Sequence, residues 1–170
     1  MELIRFRHRI LARIFSFFPD LAASWGGRLD KNPDTIPWTN PGKELRDANI
    51  ALITTGGVHR IDQPPFSMVD PDGDPTWREI PLDIPRSSLT ITHDYYDHRD
   101  AEHDLNLVLP VERLLELVQR GIIKNCHSPA YGLMGHIAGQ HLKTLQTITC
   151  PELVSKLASG GVDYALLIPA

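Results

Sequence analysis

Apolar and polar residues follow one another along the chain in blocks that predict strands and helices in turn. Residues 49–54 (NIALIT) form an apolar, β-rich run of the kind found in strands that are buried on both faces of a parallel sheet. Shorter apolar runs at 88–92, 131–134 and 162–169 are bounded by turn-forming or polar residues and predict three more strands. Residues 62–81 are too rich in Pro, Asp and Gly for regular structure, which predicts a long ordered loop that serves as a lid or binding wall.

Two later segments carry the spacing of helices. Pro110 opens a run with apolar residues on one face, and Gly121 is placed to end it. Residues 137–159 are predicted to be helical with a break, after which a new helix starts at Pro151. Strands and helices that alternate in this way predict an α/β fold with a doubly wound, mostly parallel sheet, Rossmann-like or flavodoxin-like in three layers.

Residues 1–30 are set apart by a basic amphipathic helix. Apolar residues recur at helical spacing over 3–18, with arginines on the remaining face, and Pro19 ends the pattern. This helix either packs on the core or on a sister subunit of an oligomer, or it makes a peripheral contact with an anionic membrane surface. A Pro-rich connector is predicted over 31–43, followed by the α/β domain at 44–170.

Composition and charge exclude some classes of function and cellular location. The formal net charge of -4 and the pI near 6.0 argue against nucleic-acid binding, which favours a basic surface. No apolar stretch reaches the length of a membrane span, and the N-terminus lacks the apolar region of a secretory signal. The two cysteines, Cys126 and Cys150, are far apart in sequence and are interpreted as buried, inert thiols in a reducing compartment. The cytoplasm is therefore the expected location.

Polar clusters fall at the predicted strand ends. If the strands are parallel, the loops after them converge on one edge of the sheet, where α/β folds bind their ligands. His59 follows a glycine turn and is either a general acid or base near neutral pH or an ordinary loop histidine. The polar clusters that would meet at this edge are 54–59, 93–94 and 134–136.

The segment 93–106 (HDYYDHRDAEHDLN) is the densest polar stretch of the chain. Its imidazoles and carboxylates are ligand types that suit zinc, iron or manganese. The histidines lack the i,i+4 spacing of a helical metalloprotease motif, so hydrogen-bonding roles are favoured and no metal ligand is assigned. Two alternatives stay open: a metal-dependent enzyme that uses this cluster, and a non-catalytic α/β binding or assembly subunit. The candidate ligands are His93, Asp94, Asp97, His98, His103 and Asp104.

Several motifs, in order, resemble the selenoprotein B family of the glycine, betaine, sarcosine and D-proline reductases. They are ALITTGGVH, DPDGDPTWREIP, ITHDYYDH, DLNLVLPVERLLELVQRGII, YGLMGHI and GVDYALLIPA. The resemblance runs from about Leu45 to Ala170 and looks most like the single-domain D-proline reductase type. In that family a selenocysteine, or a cysteine in some members, directly follows the strand that matches 162–170. The chain is therefore expected to be cut just before its nucleophile and to be inactive as given.

The resemblance also implies a reaction and its components. The reaction is the reductive cleavage of a C–N bond in a small amine or amino acid, with a pyruvoyl group on a partner subunit and a dithiol or thioredoxin-like reductant. On this resemblance, the loops that would line the pocket around the nucleophile contribute the residues expected to bind substrate: Thr55, Gly56, Gly57, Asp94, Asn106, Gly135 and His136. From their placement alone, His59 or His93 is expected to deliver a proton to the leaving amine, and Asp104 is expected to orient that histidine.

Overall fold

The computed structural model describes residues 2–18, 20, 39–40 and 42–170. Helix α1 spans Glu2–Phe17, so the N-terminal helix is where the hydrophobic periodicity predicts it. Most of the predicted connector at 31–43 lies outside the described residues, so this boundary stays a prediction.

Seven short strands and, besides α1, four α-helices form most of the regular structure of the described residues. The strands are β1 Asn49–Thr54, β2 Val58–Arg60, β3 Arg78–Ile80, β4 Leu89–Ile91, β5 Asn125–Cys126, β6 Ala130–Gly132 and β7 Tyr164–Ile168. The helices are α2 Arg99–His103, α3 Val111–Gln119, α4 Gly139–Thr144 and α5 Cys150–Ser159. A π-helical turn, Leu145–Thr149, joins α4 to α5 without a gap, which is how the predicted break in this region is built.

Strand β1 is the centre of the main sheet. It pairs in parallel with β7 along one edge and with β5 and then β6 along the other, while β3 adds an antiparallel strand outside β6. The prediction of an α/β fold with a mostly parallel sheet is confirmed. The carboxyl ends of β1, β6 and β7 consequently lie side by side.

Strand β4 differs from the prediction. The run at 88–92 does form a strand, but it pairs antiparallel with β2 in a separate two-stranded sheet. Gly57 turns the chain directly after β1 with φ 70°, so that β2 leaves the main sheet and accepts β4 as its partner. The expectation that 62–81 has no regular structure was also wrong at its end, because β3 is formed there, and three residues are too few to show a period of two.

Side chains of β1 alternate between two hydrophobic cores. Ile50 and Leu52 face the core that contains Leu114 of α3, whereas Ala51 and Ile53 face the core that contains Leu153 of α5. Leu52 is completely inaccessible to solvent. Burial on both faces explains why this strand reads as a continuous apolar run in the sequence.

The two cysteines have different environments. Cys126 is buried, as predicted, and its burial raises the pKa of the thiol. Cys150 is exposed at the start of α5, so the prediction of a buried thiol was wrong there. We expect a thiol reagent such as 5,5′-dithiobis(2-nitrobenzoate) to label one thiol per chain quickly under native conditions and the second only after unfolding. The variant Cys150→Ser should lose the fast phase; a fast phase that persists would contradict this assignment.

Candidate active site

The site lies where the carboxyl ends of β1 and β7 meet the turn after β6. The Ala170 N–H donates to the Thr55 hydroxyl at 3.2 Å, and the Thr55 N–H donates to the Ile168 carbonyl oxygen at 3.0 Å. A side-chain carbon built on Gly135 would lie 3.3 Å from the Thr55 carbonyl oxygen and 3.5 Å from that of Ala170. The absence of a side chain at Gly135 therefore lets the turn after β6 approach the ends of β1 and β7 closely. We call Thr55–Gly57, His93–Asp94, Gly135–His136 and Ala170 the site edge.

Gly57 brings the β1 turn against the segment that follows β4. Its φ of 70° lies in the left-handed region, and a Cβ there would stand 2.5 Å from the Thr92 carbonyl oxygen. The Gly57 carbonyl oxygen in turn accepts the Thr92 N–H at 2.9 Å. This contact places His93 and Asp94 next to the end of β1 even though β4 is not part of the main sheet.

His93 joins two parts of the site edge. Its ring is buried, and the N–H groups of Tyr95 and Gly135 point at Nδ1 and Nε2, each at 3.2 Å. Burial lowers its pKa to about 4, and the nearby His98 and His136 act in the same direction. His93 is therefore neutral at pH 7, and because a neutral imidazole carries one N–H, only one of its two nitrogens can accept a backbone N–H at a time. These contacts favour a positioning role for His93, and the proton-donor role stays a prediction.

His59 is held in a comparable way. Its Nδ1 lies 2.7 Å from the Arg60 carbonyl oxygen and its Nε2 lies 2.8 Å from the Thr92 hydroxyl. A carbonyl oxygen can only accept, so Nδ1 carries the proton and Nε2 accepts from Thr92. Burial is the main cause that lowers the pKa of His59. The ring thus fixes β2 to the end of β4, and its predicted role as general acid is not tested by these contacts.

Asp94 is paired with the N-terminal helix. The Nε atoms of Arg5 and Arg9 lie 2.6 Å and 3.0 Å from its carboxylate oxygens, and its side chain is only 1% exposed. Burial alone would raise the pKa of Asp94, but the two arginines outweigh it and hold the pKa below the ordinary value. Helix α1 therefore packs on the domain through its polar face.

An aromatic wall continues the site edge. The Tyr95 ring stacks on His136 with centroids 4.0 Å apart and also contacts His8 of α1 at 4.7 Å. The Tyr96 hydroxyl donates to the Gly56 carbonyl oxygen at 3.0 Å. Sequence reasoning missed both tyrosines, although their position directly after His93-Asp94 is a signal that could have found them.

The long loop at 62–81 closes one side of this wall. His136 Nε2 donates to the Pro71 carbonyl oxygen at 2.9 Å, and His141 pairs with Asp70 at 2.9 Å. The loop also contributes two buried side chains, Phe66 and Met68, to a small apolar cluster with Met134. These contacts hold the loop against the site edge, and its role as a lid or binding wall stays a prediction.

Asp104 and Asn106 lie apart from these contacts. The Asn106 backbone N–H and Nδ2 both donate to Asp104 at 3.0 Å, and Nδ2 also reaches Glu112 at 2.9 Å. Asn106 lines a separate cavity of about 130 Å³ together with Leu109 and Leu115. The structure places neither residue in contact with His93 or Asp94, so their predicted roles at the site edge stay predictions.

Asp97, His98 and Glu102 of the 93–106 segment pair locally. Asp97 binds Arg99, and His98 Nδ1 lies 2.8 Å from Glu102. Within the described ranges, no group of three or more His, Cys, Asp or Glu side chains stands close enough to hold a metal ion. Over the same ranges, no helix combines the length and the apolar character that crossing a membrane requires.

Comparisons with known proteins agree on one family. The family described as glycine/sarcosine/betaine reductase selenoprotein B matches residues 30–169. The chain is 34% identical over 137 residues to the D-proline reductase subunit gamma of Acetoanaerobium sticklandii, covering 79% of this chain and 54% of that protein. It is 29% identical over 107 residues to the glycine reductase complex component B subunit gamma of Symbiobacterium thermophilum, covering 61% and 24%.

A third relative is the betaine reductase complex component B subunit beta of Peptoclostridium acidaminophilum. It is 26% identical over 144 residues, which cover 79% of this chain and 30% of that protein. The chain thus spans about half or less of the length of these relatives. No solved structure matches the chain.

Proposed function

Because the chain belongs to the glycine/sarcosine/betaine reductase selenoprotein B family, we propose that it forms the substrate-facing domain of a multicomponent reductase. The reaction is the reductive cleavage of the C–N bond of a small amino acid or amine. The observation that carries this proposal is the convergence of Thr55, Gly135 and Ala170 at the carboxyl end of β7, with His93 beside them. A reducing compartment, the cytoplasm, suits the dithiol or thioredoxin-like reductant that such a reaction needs.

The nucleophile is proposed to occupy the position after Ala170. A side chain there would lie close to the turn after β6, because a Cβ on Gly135 would stand 3.3 Å from His93 Nε2 and 3.5 Å from the Ala170 carbonyl oxygen. The Thr55 hydroxyl holds the Ala170 N–H and so fixes the direction in which the chain leaves β7. A selenolate or thiolate at this position and a pyruvoyl group on a partner subunit would supply the nucleophile and the electron sink.

The other residues of the site orient the substrate and limit the access of water. His93 holds the Gly135 backbone in place, and the Tyr95–His136 stack and the 62–81 loop form one side of the site. The fixed positions matter because small displacements of the reacting atoms reduce rates steeply. His59 lies behind the site edge, where it joins β2 to the Thr92 hydroxyl.

The proposal is tested first at the level of the gene. The coding DNA beyond the codon for Ala170 should read TGA, which is UGA in the transcript, or a cysteine codon, and should then continue in frame. The extended protein, with cysteine at that position, should then cleave the C–N bond of glycine, sarcosine, betaine or D-proline when it is combined with a pyruvoyl-bearing subunit and dithiothreitol. An ordinary stop codon followed by unrelated sequence would overturn the proposal.

The role of Thr55 gives a sharper test in the extended protein. We expect Thr55→Val to lower the turnover rate roughly tenfold or more, because the end of β7 loses the hydroxyl that orients it. The matched variant Thr90→Val replaces a threonine of β4 and should leave the rate within about twofold. Equal rates for both variants would show that Thr55 does not position the nucleophile.

A further inference from the structure

Asp94 is a buried carboxylate whose hydrogen-bonding cations come from a distant part of the chain. Arg5 and Arg9 precede it by 89 and 85 positions, and both bind through Nε. They are one helical turn apart, so they project from the same face of α1. The carboxylate thus receives two guanidinium groups from one element that lies over the site edge.

The two arginines reach Asp94 from the solvent side. The Arg5 side chain is 40% exposed and that of Arg9 is 60% exposed, whereas that of Asp94 is 1% exposed. Because the arginines lie on the solvent side of the buried carboxylate, another cation can replace them there without disturbing the core.

The surroundings of Asp94 suit an organic cation. Tyr95 follows it directly, and its ring lies between His136 at 4.0 Å and His8 of α1 at 4.7 Å. If α1 moves away, the His8 side of the Tyr95 ring is uncovered next to the carboxylate. A carboxylate beside an aromatic face binds ammonium and guanidinium groups by charge and by cation–π attraction.

The attachment of α1 to the domain is polar. Phe6 and Phe17 of α1 are 63% and 75% exposed, and Ile10 is 42% exposed, so much of its apolar face points away from the domain. Ala12 is buried on the inner side. A helix that is held largely by charged contacts can separate from the domain without breaking a hydrophobic core.

We propose that Asp94 and Tyr95 form a cation-binding position of the site, which takes the cationic nitrogen of the substrate, and that Arg5 and Arg9 occupy this position when α1 is closed. The identification of the bound cation as substrate rests on the proposed function, but the binding of cations does not. Substrate and α1 then compete for Asp94, so the apparent affinity for substrate falls with the fraction of molecules in which α1 is closed.

The test compares two double variants of the same helix. Arg5→Gln/Arg9→Gln removes the cations that bind Asp94, while Arg7→Gln/Arg13→Gln removes the same charge from exposed positions of α1. Binding of methylammonium and methylguanidinium chloride is followed by the amide NMR shifts of Tyr95 and Gly135, at ionic strength held constant with sodium chloride. We expect binding at least tenfold tighter in Arg5→Gln/Arg9→Gln than in the unsubstituted chain, and unchanged binding in the control.

Two further variants in the Arg5→Gln/Arg9→Gln background locate the bound cation. Asp94→Asn should abolish binding, and Tyr95→Leu, which keeps the carboxylate, should weaken it several-fold. Equal affinities in the two double variants, or binding that survives Asp94→Asn, would overturn the proposal. If cations bind as expected but the gene stops after Ala170, the cation-binding position is supported and only the proposed reductase function is refuted.

Discussion

Replacement of Gly132 by alanine is expected to lower the free energy of unfolding by about 4 kcal/mol, the upper range for a substitution that overfills a packed interior. Gly132 is the last residue of β6 and pairs with Thr54 of β1. A Cβ at this position would stand 2.0 Å from the Val58 carbonyl oxygen and 3.3 Å from Cδ1 of Ile80. The Val58 carbonyl oxygen is a backbone atom, so the clash can be removed only if β2 moves away from the main sheet. Urea denaturation followed by tryptophan fluorescence measures the loss.

Two other glycines provide matched controls for this experiment. Gly42→Ala should be neutral, because nothing lies within 4 Å of the added carbon and no positive φ is required there. Gly121→Ala also meets no neighbour, but its φ of 65° should cost about 1 kcal/mol. If Gly132→Ala unfolds at the same urea concentration as Gly42→Ala, the packing of β2 against β6 described here is incorrect.

Acid should destabilise the protein through His93 before its carboxylates are protonated. The pKa of His93 is about 4 in the folded protein and 6.5 when the ring is unperturbed, so the unfolded chain binds the extra proton between these values. The free energy of unfolding should therefore fall as the pH drops from 6.5 to 4, by about 3 kcal/mol at roughly 1.4 kcal/mol per pKa unit. Above pH 7 this contribution is fully present.

The pH dependence can be assigned to His93 by substitution. His93→Gln removes the titrating ring, so its stability should vary less between pH 7 and pH 4.5 than that of the unsubstituted chain, even if it is lower throughout. The control is His103→Gln, in which an exposed histidine of α2 is replaced and the dependence should be kept. If the free energy of unfolding changes equally steeply with pH in all three proteins, the His93 ring does not become charged upon unfolding in this range.

The elements that could be predicted from the sequence are those in which local pattern and tertiary environment agree. Strand β1 is buried on both faces and shows a continuous apolar run, and α3 has an apolar face and a terminal glycine at position 121. Strands β2 and β3 have three residues each and are recognised only through their partners. Their pairing depends on backbone contacts that a single sequence does not contain.

The candidate site was predicted in outline and missed in detail. Thr55, His93 and Gly135 were expected to lie together and they do, although β4 reaches the edge from a separate sheet. Asp104 and Asn106 were expected there as well and lie apart from it. The amphipathic helix was also expected, with the core, a sister subunit or an anionic membrane surface as the alternatives for what it contacts. In the structure Arg5 and Arg9 form the docking face, because the buried charge of Asp94 requires compensation that no local pattern reveals.

The central position of β1 has a consequence for synthesis of the protein. Ile50 pairs with Tyr164, so the strand at the middle of the sheet obtains its partner along one of its two edges 114 positions later in the chain. At 5–20 residues per second, a ribosome needs roughly 6 to 23 s to make the intervening residues. During this time the edge of β1 that pairs with β7 has no native partner, and its apolar side chains are not yet fully covered. Aggregation during translation, and protection by chaperones, should therefore depend on how quickly β7 is made and reaches β1.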